Sequence, residues 1–287
     1  MIKIMVETPM VYELFPEGGI RIVSPAKDRL GQLDFSFIDV DGGFRKALDP
    51  LLGAMVKVYV DGVHVFTGYG FDVDPDLQPP RIRYLVHDAT WILMKKKISS
   101  AKTYGVGTGI GSMVQDLITS FAPELSISAI NDSRTTSQTV NITNNGQALF
   151  YVLRELGRKY NTIWYVTKDM AMYWRERVVG TVLETIREGQ AIISMRRRKT
   201  LNDDGSITIS PIIVSYPYRG TMRYYGDTVR VIADSYQLDL TTTVEQAELT
   251  ITSTEASTTL ELGNLNTEGK LEDLLYRPES QSGVTYT

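Results

Sequence analysis

Apolar and polar residues alternate in two blocks of this chain, separated by a stretch with a different period. In the first block Ile20-Arg21-Ile22-Val23 and Leu33-Asp34-Phe35-Ser36-Phe37-Ile38-Asp39 send every second side chain to one face. That is the pattern of a half-buried strand. Met55 to Val60 and Val63 to Gly68 follow the same rule. Asp61-Gly62 between them predicts a two-residue hairpin turn, because glycine accepts the positive φ of a type I′ turn. Arg81 to His87 alternates again after the loop Gln78-Pro79-Pro80. Short strands joined by turn residues predict a small barrel or sandwich.

Near residue 88 the period lengthens. Asp88 to Met94 reads as a short helix with Asp88 as N-cap, and Lys95-Lys96-Lys97 suits a helix C-terminus. After the glycine-rich run Gly105 to Gly111, residues Met113, Val114, Leu117, Ile118 and Phe121 form one apolar stripe. Ala148, Leu149, Val152, Leu153 and Leu156 form another, predicting a helix from about Gly146 to Tyr160. Asn161 to Val166 and Met170 to Trp174 read as a hairpin around Lys168-Asp169. Strands return after about residue 190, with Ile207 to Ile209 and Pro211 to Tyr216. Gly269 to Tyr276 reads as a short amphipathic helix before a polar tail, Ser280 to Thr287, that is expected to be mobile.

The two strand-rich blocks share a template. Gly53-Ala54-Met55-Val56-Lys57-Val58-Tyr59-Val60-Asp61 reappears as Gly226-Asp227-Thr228-Val229-Arg230-Val231-Ile232-Ala233-Asp234. Glycine opens both, Lys57 or Arg230 stands between two valines, and an aspartate closes both. Val56 and Val58, like Val229 and Val231, belong on one strand face and the basic residue on the other. Ala247 to Ser253 is expected to stand after the second copy where Arg81 to His87 stands after the first, 13 and 20 residues beyond the closing aspartates. The expected fold is mainly β with an α+β insert, in which two similar small β-barrel domains bracket an α+β domain. The expected divisions are a first barrel over 1–95, the α+β domain over 96–190, a second barrel over 191–265, and a short helix with the tail over 266–287.

Composition removes most chemistry. The 287-residue chain has no cysteine and two histidines, His64 and His87. Disulfides, thiolate metal sites, cysteine nucleophiles and three-histidine centres are therefore excluded. The glycine run lacks the spacing of a dinucleotide fingerprint and no Gly-Lys-Ser/Thr follows it. His87-Asp88 has the residue types of an acid/base pair but no nucleophile motif accompanies it. Asp72-Val73-Asp74-Pro75-Asp76 has the spacing of calcium ligands without the glycine and distal glutamate of an EF-hand loop. No catalytic, cofactor-binding or metal-binding residue is assigned, and no cofactor is expected. The net charge of −4 argues against a dedicated nucleic-acid binder. Arg196-Arg197-Arg198-Lys199, the basic cluster outside the helix-end lysines, is read as a solvated strand end, with a phosphate or partner site as the alternative. No apolar run approaches the ~20 residues of a membrane span, and no signal peptide is evident, so a cytoplasm-like site of folding is expected. Tyr216, Tyr218, Tyr224, Tyr225 and Tyr236 crowd the third segment, a residue type enriched at protein interfaces.

The order barrel, α+β insert, barrel, short helix resembles the baseplate or tail hub proteins of tailed phages and related contractile injection systems, the T4-type hub among them. The stretches that carry the resemblance are the hairpin Val56 to Thr67, the phrase Tyr69 to Val73, the junction Tyr84 to Leu93, the glycine-led entry into Ile110 to Phe121, and Thr259 to Asn264. The resemblance implies a non-enzymatic homotrimer in the virion tail, assembled in the host cytoplasm. Such a trimer presents six near-equivalent barrels. It would join a six-fold tail tube or distal tail ring protein to a three-fold central spike or fibre, with DNA only in passage through its channel and no membrane contact of its own. Two other readings stay open: a hexameric distal tail ring protein, and a carbohydrate-binding or carbohydrate-hydrolysing tail-tip module using close carboxylates beside Trp91, Trp164 or Trp174.

Overall fold

A computed structural model describes residues 2–8, 11–26, 29–39, 42–46, 51–76, 80–196, 199–201, 207–209, 211–263 and 284–286. The chain begins with strands β1 (Ile2–Glu7), β2 (Val11–Leu14), β3 (Pro16–Val23) and β4 (Gln32–Ile38), a helical turn α1 (Gly43–Lys46), and strands β5 (Met55–Val60), β6 (Val63–Asp76) and β7 (Arg81–Asp88). The middle holds α2 (Ile92–Lys95), β8 (Lys102–Tyr104), α3 (Ile110–Phe121), β9 (Ile130–Asn131), β10 (Val140–Ile142), α4 (Leu149–Lys159), β11 (Thr162–Val166) and β12 (Met172–Glu176). Then come β13 (Glu184–Arg187), β14 (Ser194–Arg196), β15 (Lys199–Leu201), β16 (Ile207–Ile209), β17 (Ile212–Pro217), β18 (Thr228–Ala233), β19 (Leu238–Ile251), β20 (Ala256–Leu262) and β21 (Val284–Tyr286). The fold is mainly β with a small helical insert.

Alternation decides which faces are buried. In β4, Leu33, Phe35 and Phe37 point inward, and in β7 Ile82, Tyr84 and Val86 do. These side chains meet Ile4 and Val6 of β1, Val56 and Val58 of β5, and Ile20 and Ile22 of β3 in one core. Strands from both flanks of the first block thus share a single interior, so the sheet curls around it. A second core joins Ile186, Val214, Tyr216, Val229, Val231, Val244, Ala247 and Leu260. The middle segment has its own core, in which α3 and α4 lay their apolar stripes against Trp164 and Trp174.

The two strand modules are not separate bodies. Among the described residues a 13-stranded sheet runs β14-β17-β20-β19-β3-β4-β7-β6-β5-β1-β2, with β18 and β13 branching from β19. The link is the antiparallel pair β19–β3, which sets Leu249 against Ile22 and Ile251 against Ile20.

Three expectations change. The polar end of the chain holds a strand rather than only a mobile tail. Val284–Tyr286 pairs antiparallel with β10, and Val284 is buried in the middle core. Three ladder pairs hold it there, with Val284 buried and the Tyr286 ring packed on the same core under Lys159. The strand β13 runs parallel to β18, and Ile186 lies in the second module's core, although its position precedes residue 190. Finally, Ala247 to Ile251 is the far half of the long strand β19. The strand that stands where Arg81 to His87 stands in the first module is β20. The expected helix over 269–276 and the cations Arg197 and Arg198 lie outside the described residues.

Candidate functional site: two strand modules and their joint

The two copies of the template adopt the same local geometry. Gly53 and Gly226 both have positive φ, 76° and 85°, a region L side chains rarely occupy. Each glycine N–H donates to a carbonyl midway along the following long strand, Gly53 to Gly70 O at 2.8 Å and Gly226 to Val244 O at 2.8 Å. Each acceptor residue donates back to the residue after the glycine, Gly70 to Ala54 O and Val244 to Asp227 O. Val56, Val58, Val229 and Val231 are fully buried. The basic residues face outward and pair: Lys57 Nζ lies 2.7 Å from Glu7, and Arg230 grips Asp239 with two bonds of 2.7 and 2.6 Å. Asp61 (φ 50°) and Gly62 (φ 81°) form the turn that brings Val60 opposite Val63. Asp234 opens a short 3-10 turn that ends at Gln237, φ 50°.

The likeness extends past the template. The strands β6 and β19 are each 14 residues long. In β6 the register with β7 slips between Gly70 and Asp72, and in β19 the register with β20 slips between Val244 and Gln246. Each slip is a bulge, at Phe71 and at Glu245, where an extra residue bends the strand. Spatial order repeats too. The first module runs β3-β4-β7-β6-β5 and the second runs β14-β17-β20-β19-β18. In both, the fifth strand in sequence is inserted between the second and the fourth. The copies part company only at the next neighbour: β1 joins β5 antiparallel, whereas β13 joins β18 parallel.

The joint between modules combines ladder, apolar contact and charge. Ser24 N–H donates to Ala247 O at 2.7 Å, and Ala247 N–H donates to Ser24 Oγ at 2.9 Å. Arg21 forms two bonds of 2.7 Å with Glu248 across it. The middle segment is tied to both modules. Lys168 donates to His64 O and Arg175 to Gly226 O, and between the modules themselves Tyr224, in the β17–β18 connection, donates its hydroxyl to Val65 O at 3.0 Å. Tyr165 stacks between Tyr173 and Tyr224, at 4.8 and 6.0 Å between ring centres. Tyr224 and Tyr225 therefore serve an internal seam, and Tyr216 is buried in the second core, while Tyr236 is exposed.

The candidate chemical residues are not brought together as a reaction centre. His87 and Asp88 are neighbours on a strand, so they point to opposite faces. His87 packs on Phe71 with ring centres 4.3 Å apart. Asp88 is buried, accepts the Thr90 hydroxyl at 3.2 Å, and has its pKa pushed up to about 7 by that burial. Burial lowers the pKa of His64, with Lys168 adding to the effect, and its Nε2 lies 2.8 Å from Thr67 Oγ1. The glycine run feeds α3, but the Ile110 and Gly111 amides donate to the carbonyls of Arg134 and Asp132, so they are not turned to an anion. Asp72, Asp74 and Asp76 lie along the exposed half of β6, and no group of three or more potential metal ligands occurs among the described residues. Trp164 and Trp174 are core residues; Trp91 is half-buried under Lys95, whose Nζ stands 4.4 Å from the ring centre.

No protein-family model matches the sequence, and no curated protein matches it. Solved structures do. A tail protein from Neisseria meningitidis MC58 superposes with a TM-score of 0.65 at 13% identity, over 91% of this chain and 95% of that one. The fold is that of phage tail proteins. The 43 kDa tail protein of prophage MuSo2 from Shewanella oneidensis gives a TM-score of 0.67 at 12% identity, over 91% and 97% of the two chains. An E. coli component of the type VI secretion system, described as similar in structure to the T4 tail proteins gp27 and gp5, gives 0.59 at 8% identity, over 91% of this chain and 76% of that one. Tail-protein architecture thus spans nearly the whole chain, at identities that speak for fold alone. The repeat was legible in the sequence at the level of one strand; its extent rests on bulges after Gly70 and Val244 and on strand pairing, which no shared local pattern marks.

Proposed function

We propose that this protein is a structural, non-enzymatic hub at the distal end of a phage or phage-like tail, acting as a homotrimeric ring. The observation that carries the reading is the strand module used twice in the same spatial order within one chain. A closed ring of identical subunits offers one kind of patch per symmetry operation. A chain holding two near-equivalent modules escapes that limit, because three copies present six module faces. Such a ring can meet a six-fold tube or distal tail ring protein on one side and a three-fold spike or fibre on the other. The tail-protein fold and the likeness to a secretion component described as structurally similar to gp27 and gp5 support this reading. The acidic balance suits a channel that passes DNA without gripping its phosphates.

Native mass spectrometry tests the reading. Three copies are expected. Six copies would favour a distal tail ring protein, and a single copy at every concentration would overturn the ring. The buried Trp164 and Trp174 leave the carbohydrate reading only Trp91 as a platform, and a glycan array is expected to give no signal.

A further inference from the structure

Among the described residues there is one strand joint between modules and the unmatched halves of a second. In the internal joint, β3 of the first module adds to the far half of β19, beyond the bulge and on the side where β18 pairs with its near half. The corresponding far half of β6 is Asp72 to Asp76. On its β5 side the ladder ends at Met55–Tyr69, and no described strand pairs with the far half there. The counterpart of β3 is β14, which pairs with β17 alone among the described strands. Among the described strands, one copy thus leaves unpaired the two edges that, in the other combination, it has already joined.

Register fixes which residues correspond. Aligning the bulges makes Asp74 the counterpart of Glu248 and Asp76 that of Thr250. Leu85 then corresponds to Glu261, their partners Asp34 and Ile213 correspond, and the partners of those are Arg21 and Arg196. The strand edges therefore carry the same cation at the same place. Arg21 sits opposite Thr250 and reaches diagonally to Glu248. Arg196, exposed on β14, is set to sit opposite Asp76 and reach Asp74, both exposed on β6.

We infer that β14 of one copy adds antiparallel to the far half of β6 in the next copy, in the register of β3 on β19, with Arg196 bridging to Asp74. This rests on the ring reading and supplies its subunit contact. It also gives a use to Arg196 and to the aspartate series that resembles a calcium loop. The joint is head-to-tail, the kind of contact that closes into rings, and it covers strand edges that would otherwise template aggregation. Ala247 turns its amide and carbonyl toward β3, so by alternation Leu249 does too. Pro75 holds the corresponding place and has no N–H. The joint between copies therefore forms with one ladder bond fewer than the internal one and leans more on charge, which salt screens.

The absence of natural cysteine makes the test direct. Arg21 and Thr250 are opposed outside the hydrogen-bonded pairs, where Cα atoms lie about 4.5 Å apart, within disulfide range. Arg21→Cys with Thr250→Cys in one chain is the internal control and should close within the chain. Asp76→Cys and Arg196→Cys are made as separate proteins. Mixed under mild oxidation they should give a covalent dimer that neither gives alone, and the two changes in one chain should give covalent trimers. Arg196→Glu should disperse the assembly, and adding Asp74→Arg should restore it. A trimer by native mass without the 76–196 cross-link, or one unaffected by Arg196→Glu, overturns this contact and leaves the ring standing. A monomer without the cross-link overturns both.

Discussion

Asp88 offers a sharp test of the physical account of this fold. It ends β7, is 4% exposed, and its Oδ1 has no hydrogen-bond partner among the described residues. Burial disfavours the charged form, so the pKa rises from 3.8 to about 7 in the folded protein. A raised folded pKa means that the folded state holds the proton over a range in which the unfolded chain has lost it. This group's contribution to stability is fully present below about pH 4 and is lost as pH rises toward 7, where both states become ionised. The slope is ~1.4 kcal/mol per pH unit over about three units, giving ~4 kcal/mol as an upper figure. Asp88→Asn removes the titration while keeping an acceptor for Thr90. Urea midpoints for the two proteins, taken at intervals from pH 4 to pH 8, cancel every other titrating group in the difference. The variant should gain on the parent steadily up to about pH 7 and then hold a constant lead. A difference that stays flat across the whole range would refute a buried, proton-holding carboxyl at this position.

Three further outcomes can be measured on the isolated chain. Ending the chain before Val284 should lower the stability of the middle domain by ~2–4 kcal/mol, from one buried valine and the ladder with β10, and an unchanged calorimetric midpoint would count against that strand. Gly62→Val should cost ~1–2 kcal/mol because only the positive φ opposes it, whereas Gly226→Ala should cost more, since its Cβ would stand 2.4 Å from Ile163 Cδ1 as well; equal melting shifts would refute the distinction. Arg177→Met should destabilise by ~3 kcal/mol, because Glu245, 16% exposed, loses the guanidinium that its carboxylate meets, and a neutral result in chemical denaturation would remove that pair from the second module's support.

Strand character and the helical insert could be read from the chain because both are written in local period. Leu33, Phe35 and Phe37 alternate, and Met113, Val114, Leu117 and Phe121 stripe one helix face, whatever the rest of the molecule does. Pairing partners are not written locally. Nothing in Glu184 to Arg187 tells a parallel neighbour from an antiparallel one. Nothing in Val284 to Tyr286 distinguishes a three-residue strand from a polar end, since its neighbour lies more than a hundred residues away. The comparison of Ala247 to Ser253 with Arg81 to His87 went astray for a related reason. Both stretches alternate, but Ala247 to Ile251 continues through the bulge at Glu245 as the far half of β19, and the next strand begins only at Ala256. Among the chemical candidates, sequence placed His87 beside Asp88, and the alternation of β7 that it also predicted is what keeps their side chains apart.

The pairing of β3 with β19 sets an order of events in folding. Residues 20–23 wait for residues 248–251, so a nascent chain carries its first module with one flank unlatched through most of synthesis. Contacts of such long separation form late, and an apolar strand edge exposed meanwhile invites association with other chains. Arg21, between Ile20 and Ile22, places a charge on that flank during the wait. The residue that later grips Glu248 is thus also a guard on the unfinished molecule, discouraging premature partners until its own strand arrives.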